Sequence, residues 1–306
     1  GYDRVKPPLL EYEETLTAFA PDSLRKGFKL ADPQAEGLLV VRSDKTGQVI
    51  RIAQTRLKDE PRPLRLSYGG QVLRAKGSQL RPERQFTQVG VELIGVPEGS
   101  ESRALIEIVD LCMTALGDAG VPDVTVDLTL PQVARAAAQA DPVLIQALNE
   151  RNAALAETAT ATAGEAVREV VSLISAFGPW RGAVTLMDKV KGGKAWRELE
   201  SVAEAVETRH PSVEVLVDPA ELRGFDYHTG LSFVLYAKGV RGELGRGGLY
   251  QAGEEQAAGF TLYMDSVLRA VPAQTPPEKV SVAADTDINE VARRRAAGEI
   301  VVVDLA

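Results

Sequence analysis

Thiol and imidazole are scarce in this chain, with one cysteine and two histidines among 306 residues. A single thiol builds no disulfide framework and no multi-thiolate zinc site, and Cys112 sits inside the apolar run ALIEIVDLCMTAL, where it reads as a buried core thiol. The histidines, at positions 210 and 228, supply no cluster, so metal catalysis through one is excluded. His210 precedes Pro211 at what reads as a helix-to-strand turn. Positive charge is short as well: 35 Lys and Arg against 43 Asp and Glu give a formal charge of -8, which disfavours a surface built to hold nucleic acid. No apolar run reaches the roughly 18 residues a membrane span requires, and no charged-then-apolar leader opens the chain, so a cytoplasmic protein is expected. The chain opens at GYDRVKPPLLEYEE without Met, which implies a segment upstream.

What is present is an ordinary globular balance, 44% hydrophobic and 25% charged, enough for one large domain with an insertion or for two domains. Up to about Gly95, short β-rich runs (GLLVVRS, LRLSYGGQVLRA, QFTQVGVELIG) alternate with a helical piece at DKTGQVIRIAQTRL, a pattern of an antiparallel sheet rather than a βαβ repeat. Residues 101–119 carry Leu105, Ile108, Val109, Cys112 and Leu116 at helical spacing, and VTVDLTLP after them is strand-like. Composition turns Ala-rich and helical from about 132 to 206, with breaks at TATATAG and GPWRGAVTL. The β pattern returns at SVEVLVD, LSFVLYA and GRGGLYQ; GFTLYMDSVLRAV reads as strand into helix, and AQTPPEK as a linker or turn. The last stretch gives a β, α, β succession at KVSVAA, INEVARRRAAG and EIVVVDL. The expected fold class is α+β.

Three constellations stand out. In residues 65–95 two strands flank a basic loop with Arg74, Lys76, Arg81 and Arg84, and Gln88, Gly90 and Glu92 then alternate onto one strand face. That face is either a pocket floor able to hold an amine, an imidazole or a carboxylate, or the solvated side of an edge hairpin. In LRGFDYHTGLSF, residues 222–233, Asp226 and His228 share one side of an extended strand with Gly224 while Phe225 and Tyr227 take the other, which fits a ligand wall or a surface hairpin equally. GELGRGGLYQ lacks the lysine and spacing of a P-loop, and tight-turn glycines account for it better than a phosphate cradle does.

Taken in order, these runs resemble the catalytic core of class II aminoacyl-tRNA synthetases, and within them the histidyl-tRNA synthetase lineage. GYDRVKPPLLEYEETL looks like the strand portion of motif 1, VVRSDKTGQVIRI like the R-P-E-x-T-x-x-x-x-R segment, and LRAKGSQLRPERQFTQVGVELIG like motif 2 with its loop and following strand. LRGFDYHTGLSF matches the signature L-V-R-G-L-D-Y-Y-T-G-x-x-F, and RGGLYQ stands where that family has G-G-R-Y-D. The resemblance runs to about residue 272 and implies a mostly antiparallel sheet flanked by helices, with a helical insertion. The implied divisions are 1–131 for the first part of the core, 132–210 for the insertion, 211–272 for the second part and 273–306 for a short βαβ-like tail without an anticodon-binding domain.

The departures fall on the ATP side. Lys76 stands in place of the motif 2 acid and Leu249 in place of the Arg of G-G-R-Y-D. In the motif 3 segment, Tyr263 replaces the second Gly, Asp265 the Glu and Ser266 the Arg that meets the γ-phosphate. Each charge-assisted contact to a triphosphate is worth roughly 1.5–3 kcal/mol, so their joint loss implies that adenylate formation is lost. The amino-acid side is kept: the positions matching the histidine-binding set are Asp44, Thr46, Arg74, Gln88, Glu92, Arg223, Tyr227 and His228. The resemblance gives Asp44 and Thr46 to the ligand's α-amino group, Arg74 or Gln88 with Arg223 to its carboxylate, and Glu92 to the imidazole N–H.

A histidine-shaped pocket without ATP-gripping groups is similar to the paralogous family of ATP phosphoribosyltransferase regulatory subunits. Membership implies a non-catalytic protein that partners the short-form catalytic subunit at the first step of histidine biosynthesis, takes part in feedback inhibition by L-histidine, and forms a homodimer within a hetero-oligomer. No cofactor, no metal, no tRNA and no membrane partner is implied. The competing readings are a paralogue binding an amino acid for another partner and an active aminoacyl-adenylate-forming enzyme.

Overall fold

Two ten-residue runs, Leu64–Leu73 and Gln85–Ile94, pair along their full length and seed the main sheet. The chain is seen in a computed structural model that describes residues 1–19, 25–33, 37–77, 82–159, 164–187, 193–222, 227–273 and 278–305. These divide into two units, Gly1–Val271 and Pro272–Ala306.

Among the described residues the strands of the first unit are β1 (Asp3–Arg4), β2 (Leu10–Tyr12), β3 (Lys29–Ala31), β4 (Leu38–Val41), β5 (Leu64–Leu73), β6 (Gln85–Ile94), β7 (Val124–Thr129), β8 (Gly178–Pro179), β9 (Glu214–Val217), β10 (His228–Ala237), β11 (Gly245–Ala252) and β12 (Glu255–Tyr263). Its helices are α1 (Glu13–Phe19), α2 (Thr46–Thr55), α3 (Glu101–Asp118), α4 (Pro131–Ala138), α5 (Pro142–Glu150), α6 (Ala153–Ala156), α7 (Gly164–Ser175), α8 (Trp180–Met187), α9 (Gly193–Arg209) and α10 (Met264–Ala270).

Nine strands form one sheet in the order β1-β5-β6-β12-β11-β10-β7-β9-β8. From β5 to β7 every neighbouring pair is antiparallel, while β1 beside β5 and β9 beside β7 run parallel. A smaller sheet joins β2, β4 and β3. The class II-like α+β architecture is therefore present, and strand alternation sorts its residues onto two faces.

One face is the apolar core. Val91 and Leu93 of β6, Phe233 and Leu235 of β10 and Phe260 and Leu262 of β12 pack with the stripe Leu105, Ile108, Val109, Cys112 and Leu116 of α3 and with Trp196, Leu199, Val202 and Val206 of α9. Each fully buried aliphatic side chain there contributes about 2 kcal/mol. On the other face α2 seats Val49 and Ala53 against Leu64, Leu66, Tyr68, Ile94, Tyr250 and Ala257, and polar side chains occupy the rest.

Two local readings are corrected. The segment GPWRGAVTL breaks only at Gly178–Pro179; Trp180–Met187 is a helix because Trp180, Ala183 and Met187 recur at helical spacing and are buried in the core. The opening segment also contains a helix, Glu13–Phe19, anchored by Leu16 at 1% exposure. Between Pro131 and Glu150 the starts are set by local chemistry: proline opens α4 and α5, and Asp141 caps α5 by accepting from Val143 N (2.8 Å) and Leu144 N (3.2 Å).

In the second unit β13 (Lys279–Val282) pairs in parallel with β14 (Ile300–Val303), and α11 (Ile288–Ala296) connects them. Asp287 caps that helix through Asn289 N at 2.9 Å. Among the described residues no helix is long and apolar enough to cross a membrane.

Candidate functional site

The register of four central strands decides which side chains meet. Glu92 of β6 lies opposite Gly259 of β12, Thr261, two residues on, lies opposite Arg246 of β11, and Tyr250 of β11 lies opposite His228 of β10. Glu92, Thr261, Arg246, Tyr250 and His228 thus share the face away from the apolar core. Together with Thr46, Tyr227, Gly247, Gly259 and Phe260 they line a cavity of about 200 Å³, counting its open mouth.

Glu92 is the buried pole of this cavity, 2% exposed. Its Oε1 accepts from Thr46 Oγ1 (3.0 Å) and Tyr68 OH (3.2 Å), and its Oε2 accepts from Tyr250 OH (2.8 Å). Thr261 Oγ1 lies 2.7 Å from the Tyr68 hydroxyl and extends the network. Burial pushes the Glu92 carboxyl up to about 8, with the nearby Asp44 charge adding to it, against the opposing pull of the three hydroxyl donors. Gly259 is a requirement of this arrangement, since a Cβ there would fall 1.9 Å from Glu92 Oε2.

The start of α2 is tied to the same network. Asp44 Oδ1 accepts from the backbone N–H of Thr46 (2.9 Å), holding the first helical turn, and Asp44 Oδ2 accepts from Gln88 Nε2 (2.8 Å). That bond orients the Gln88 amide and leaves its Oε1 buried without a hydrogen-bond partner among the described residues. Beside them Lys45 is 1% exposed. Burial, with the Arg42 charge added, lowers its ammonium to about 8, and its Nζ lies 6.0 Å from the Tyr68 ring centre.

The opposite wall is cationic and aromatic. Arg246 bonds Glu243 through Nε (2.9 Å) and through Nη2. His228, 4% exposed, is held neutral: burial first, then the charges of Arg246 and Arg135, lower its imidazole to about 3. Tyr227 stacks at a tilt on His228, with centroids 4.1 Å apart, and meets Tyr250 edge-on at 5.9 Å. It begins as a turn residue rather than a strand residue, and about half of it is exposed.

Of the residues singled out from sequence, Thr46, Glu92, Tyr227 and His228 line the cavity, while Asp44 and Gln88 stand behind Thr46 as a bonded pair. Arg74 lies elsewhere: its guanidinium covers the Phe86 ring at 4.9 Å and its Nε reaches Ser43 O at 3.5 Å. Arg223, together with Gly224, Phe225, Asp226 and the loop residue Arg81, lies outside the described residues. Lys76 is exposed. Leu249 is 2% exposed in the apolar core, and Ser266 is fully buried in α10, where its Oγ accepts from Arg269 at 3.2 Å. Tyr68, Tyr250, Thr261 and Arg246 were not singled out, because each belongs to a strand whose inward face only the pairing register reveals. Among the described residues no group of three or more Cys, His, Asp or Glu is placed to hold a metal ion.

Chemically the cavity is a polar recess lined by a buried carboxyl, a guanidinium and aromatic rings. The family model for histidyl-tRNA synthetase matches residues 1–267. An ATP phosphoribosyltransferase regulatory subunit from Rhodospirillum centenum is 45% identical, covering 97% of this chain and 79% of that protein. Another from Paramagnetospirillum magneticum is 44% identical, covering 100% of this chain and 82% of that one. Among solved structures, an ATP phosphoribosyltransferase regulatory subunit/histidyl-tRNA synthetase from Bacillus halodurans C superposes with a TM-score of 0.80 at 27% identity, covering 99% of this chain and 84% of that one. The chain therefore belongs to the histidyl-tRNA synthetase-like family of ATP phosphoribosyltransferase regulatory subunits.

Proposed function

We propose that the chain assembles with the short-form catalytic subunit of ATP phosphoribosyltransferase, activates it, and carries feedback inhibition by L-histidine, working as a homodimer within a cytoplasmic hetero-oligomer. The observation that carries this reading is the contrast between two sets of positions in one fold. The Glu92 recess keeps a full set of polar partners, whereas Leu249 and Ser266, at the positions where the synthetases have ATP-contacting arginines, are buried and uncharged.

In this reading Glu92 accepts an imidazole N–H, Asp44 with Thr46 takes the ligand's ammonium, and Gln88 belongs with the carboxylate partners. Arg74 and Arg223 are the carboxylate partners the family pattern supplies. Histidine then shifts the complex only through unequal affinity for its active and inhibited states, a coupling of typically 1–3 kcal/mol.

Co-expression with a short-form catalytic subunit tests the assembly. Co-purification and a rise in phosphoribosyltransferase activity that histidine reverses are expected; a catalytic subunit neither bound nor activated overturns it. Histidine-dependent pyrophosphate exchange by the purified chain would overturn the non-catalytic part.

A further inference from the structure

We propose that Arg246, held by Glu243, reads the carboxylate of the ligand in this cavity, a specificity role that the family pattern gives to other arginines. The inference rests on the reading of the cavity as an amino-acid site. Arg246 stands on β11 opposite Thr261, and Glu92 stands on β6 opposite Gly259. The two side chains therefore share a face, two strands and two residues apart, or roughly 12 Å between Cα atoms from strand spacing and rise. A ligand bound here would present its N–H donors to Glu92 and its anionic end to the guanidinium, both of which line the cavity.

Arg246 is the one permanently charged cation among the described residues lining the cavity. Arg74 is turned to the Phe86 ring instead, and neutral His228 offers no charge to an anion. The ion pair with Glu243, made through Nε and Nη2, fixes the plane of the guanidinium. Five N–H donors in a rigid fork allow one arginine to serve two carboxylates, and bidentate geometry favours a planar carboxylate over an alcohol of the same size. Glu243 is thus a positioning residue and Arg246 the contact.

Calorimetric titration of the full chain with L-histidine and with L-histidinol, which carries a hydroxymethyl group in place of the carboxylate, tests this. In the unaltered protein histidine is expected to bind more tightly than histidinol. Arg246→Gln should weaken histidine roughly 10- to 100-fold, the loss of one or two charge-assisted bonds, and leave histidinol within about 2-fold. The double variant Glu243→Gln/Arg246→Gln, which leaves no unpaired carboxylate behind, should give the same split with an unchanged thermal midpoint. Equal weakening of both ligands, or histidine binding unaffected in both variants, overturns the role of Arg246 while the amino-acid site stands. No binding of either ligand by the unaltered protein overturns the site itself and this inference with it.

Discussion

The sharpest consequence of the buried carboxyl concerns pH. Glu92 is pushed up to about 8 from an ordinary value of 4.5, so between those limits the unfolded chain has lost a proton that the folded chain keeps. A raised folded value means that the stabilisation is complete below 4.5 and is lost as pH rises toward 8, at about 1.4 kcal/mol per pH unit. The full swing is of order 5 kcal/mol, with about 3 kcal/mol already lost at pH 7. His228 works in the opposite sense: its value is lowered from 6.5 to about 3, so its contribution is complete above 6.5 and falls as pH drops. Between 4.5 and 6.5 the two slopes oppose each other, and above 6.5 only that of Glu92 remains. Glu92→Gln removes one slope and leaves the other. Urea unfolding at intervals from pH 5 to 8.5 should therefore show the variant gaining on the unaltered protein steadily toward pH 8, whatever the fixed cost of placing an amide among three hydroxyls. Parallel curves separated by a constant offset would refute the assignment of a neutral carboxyl to this site.

Other perturbations probe the surroundings. Gly259→Ala puts a methyl 1.9 Å from Glu92 Oε2 and 2.6 Å from Val91 O; a loss of about 3 kcal/mol is expected from the forced displacement, seen as a lower thermal midpoint, and an unchanged midpoint would show that the strands part freely. Arg151 ties the end of α5 to Asp218 and Glu221 and to the carbonyl of Ala220. Arg151→Ala should cost about 2 kcal/mol at pH 7, less than a fully buried pair because a quarter of the arginine side chain is exposed, and the cost measured by urea unfolding should shrink in acid as Asp218, whose carboxyl burial raises above its ordinary value, protonates. Leu249→Arg restores a synthetase-like cation at a core position and should cost on the order of 4 kcal/mol without producing pyrophosphate exchange; exchange in that variant would mean that the ATP side needs only this charge.

Much of the scaffold was legible because it is written in local periodicity. The apolar stripe Leu105, Ile108, Val109, Cys112 and Leu116 is the buried face of α3, and DKTGQVIRI holds the start of α2. The alternation of Gln88, Gly90 and Glu92 marks β6 as a strand with a polar face. Less legible were places where burial overrides local signals: Gly178 and Pro179 suggested a longer break than they make, because the Trp180 side chain gains more in the core than the glycine at 182 costs the helix. In the candidate site, the sequence pointed to residues within recognisable runs, and Arg74 shows the limit of that. Two arginines of equal charge stand near the strand ends, and only the direction of each side chain decides that Arg246 lines the cavity while Arg74 covers an aromatic ring.

By itself the sequence determined the long strands and the apolar stripe of α3, the uncharged residues at the positions matching the family's ATP-contacting arginines, and the presence of one carboxylate at a strand position able to face inward, since each depends on residue type and spacing along the chain. Tertiary structure alone decided that Tyr68, Tyr250 and Thr46, carried by two different strands and a helix, converge on that carboxylate, and that Arg246 and not Arg74 faces it. The physical reason is the pairing register: it brings Gly259, the one residue small enough, against Glu92, and in doing so fixes which side chains of the neighbouring strands share its face.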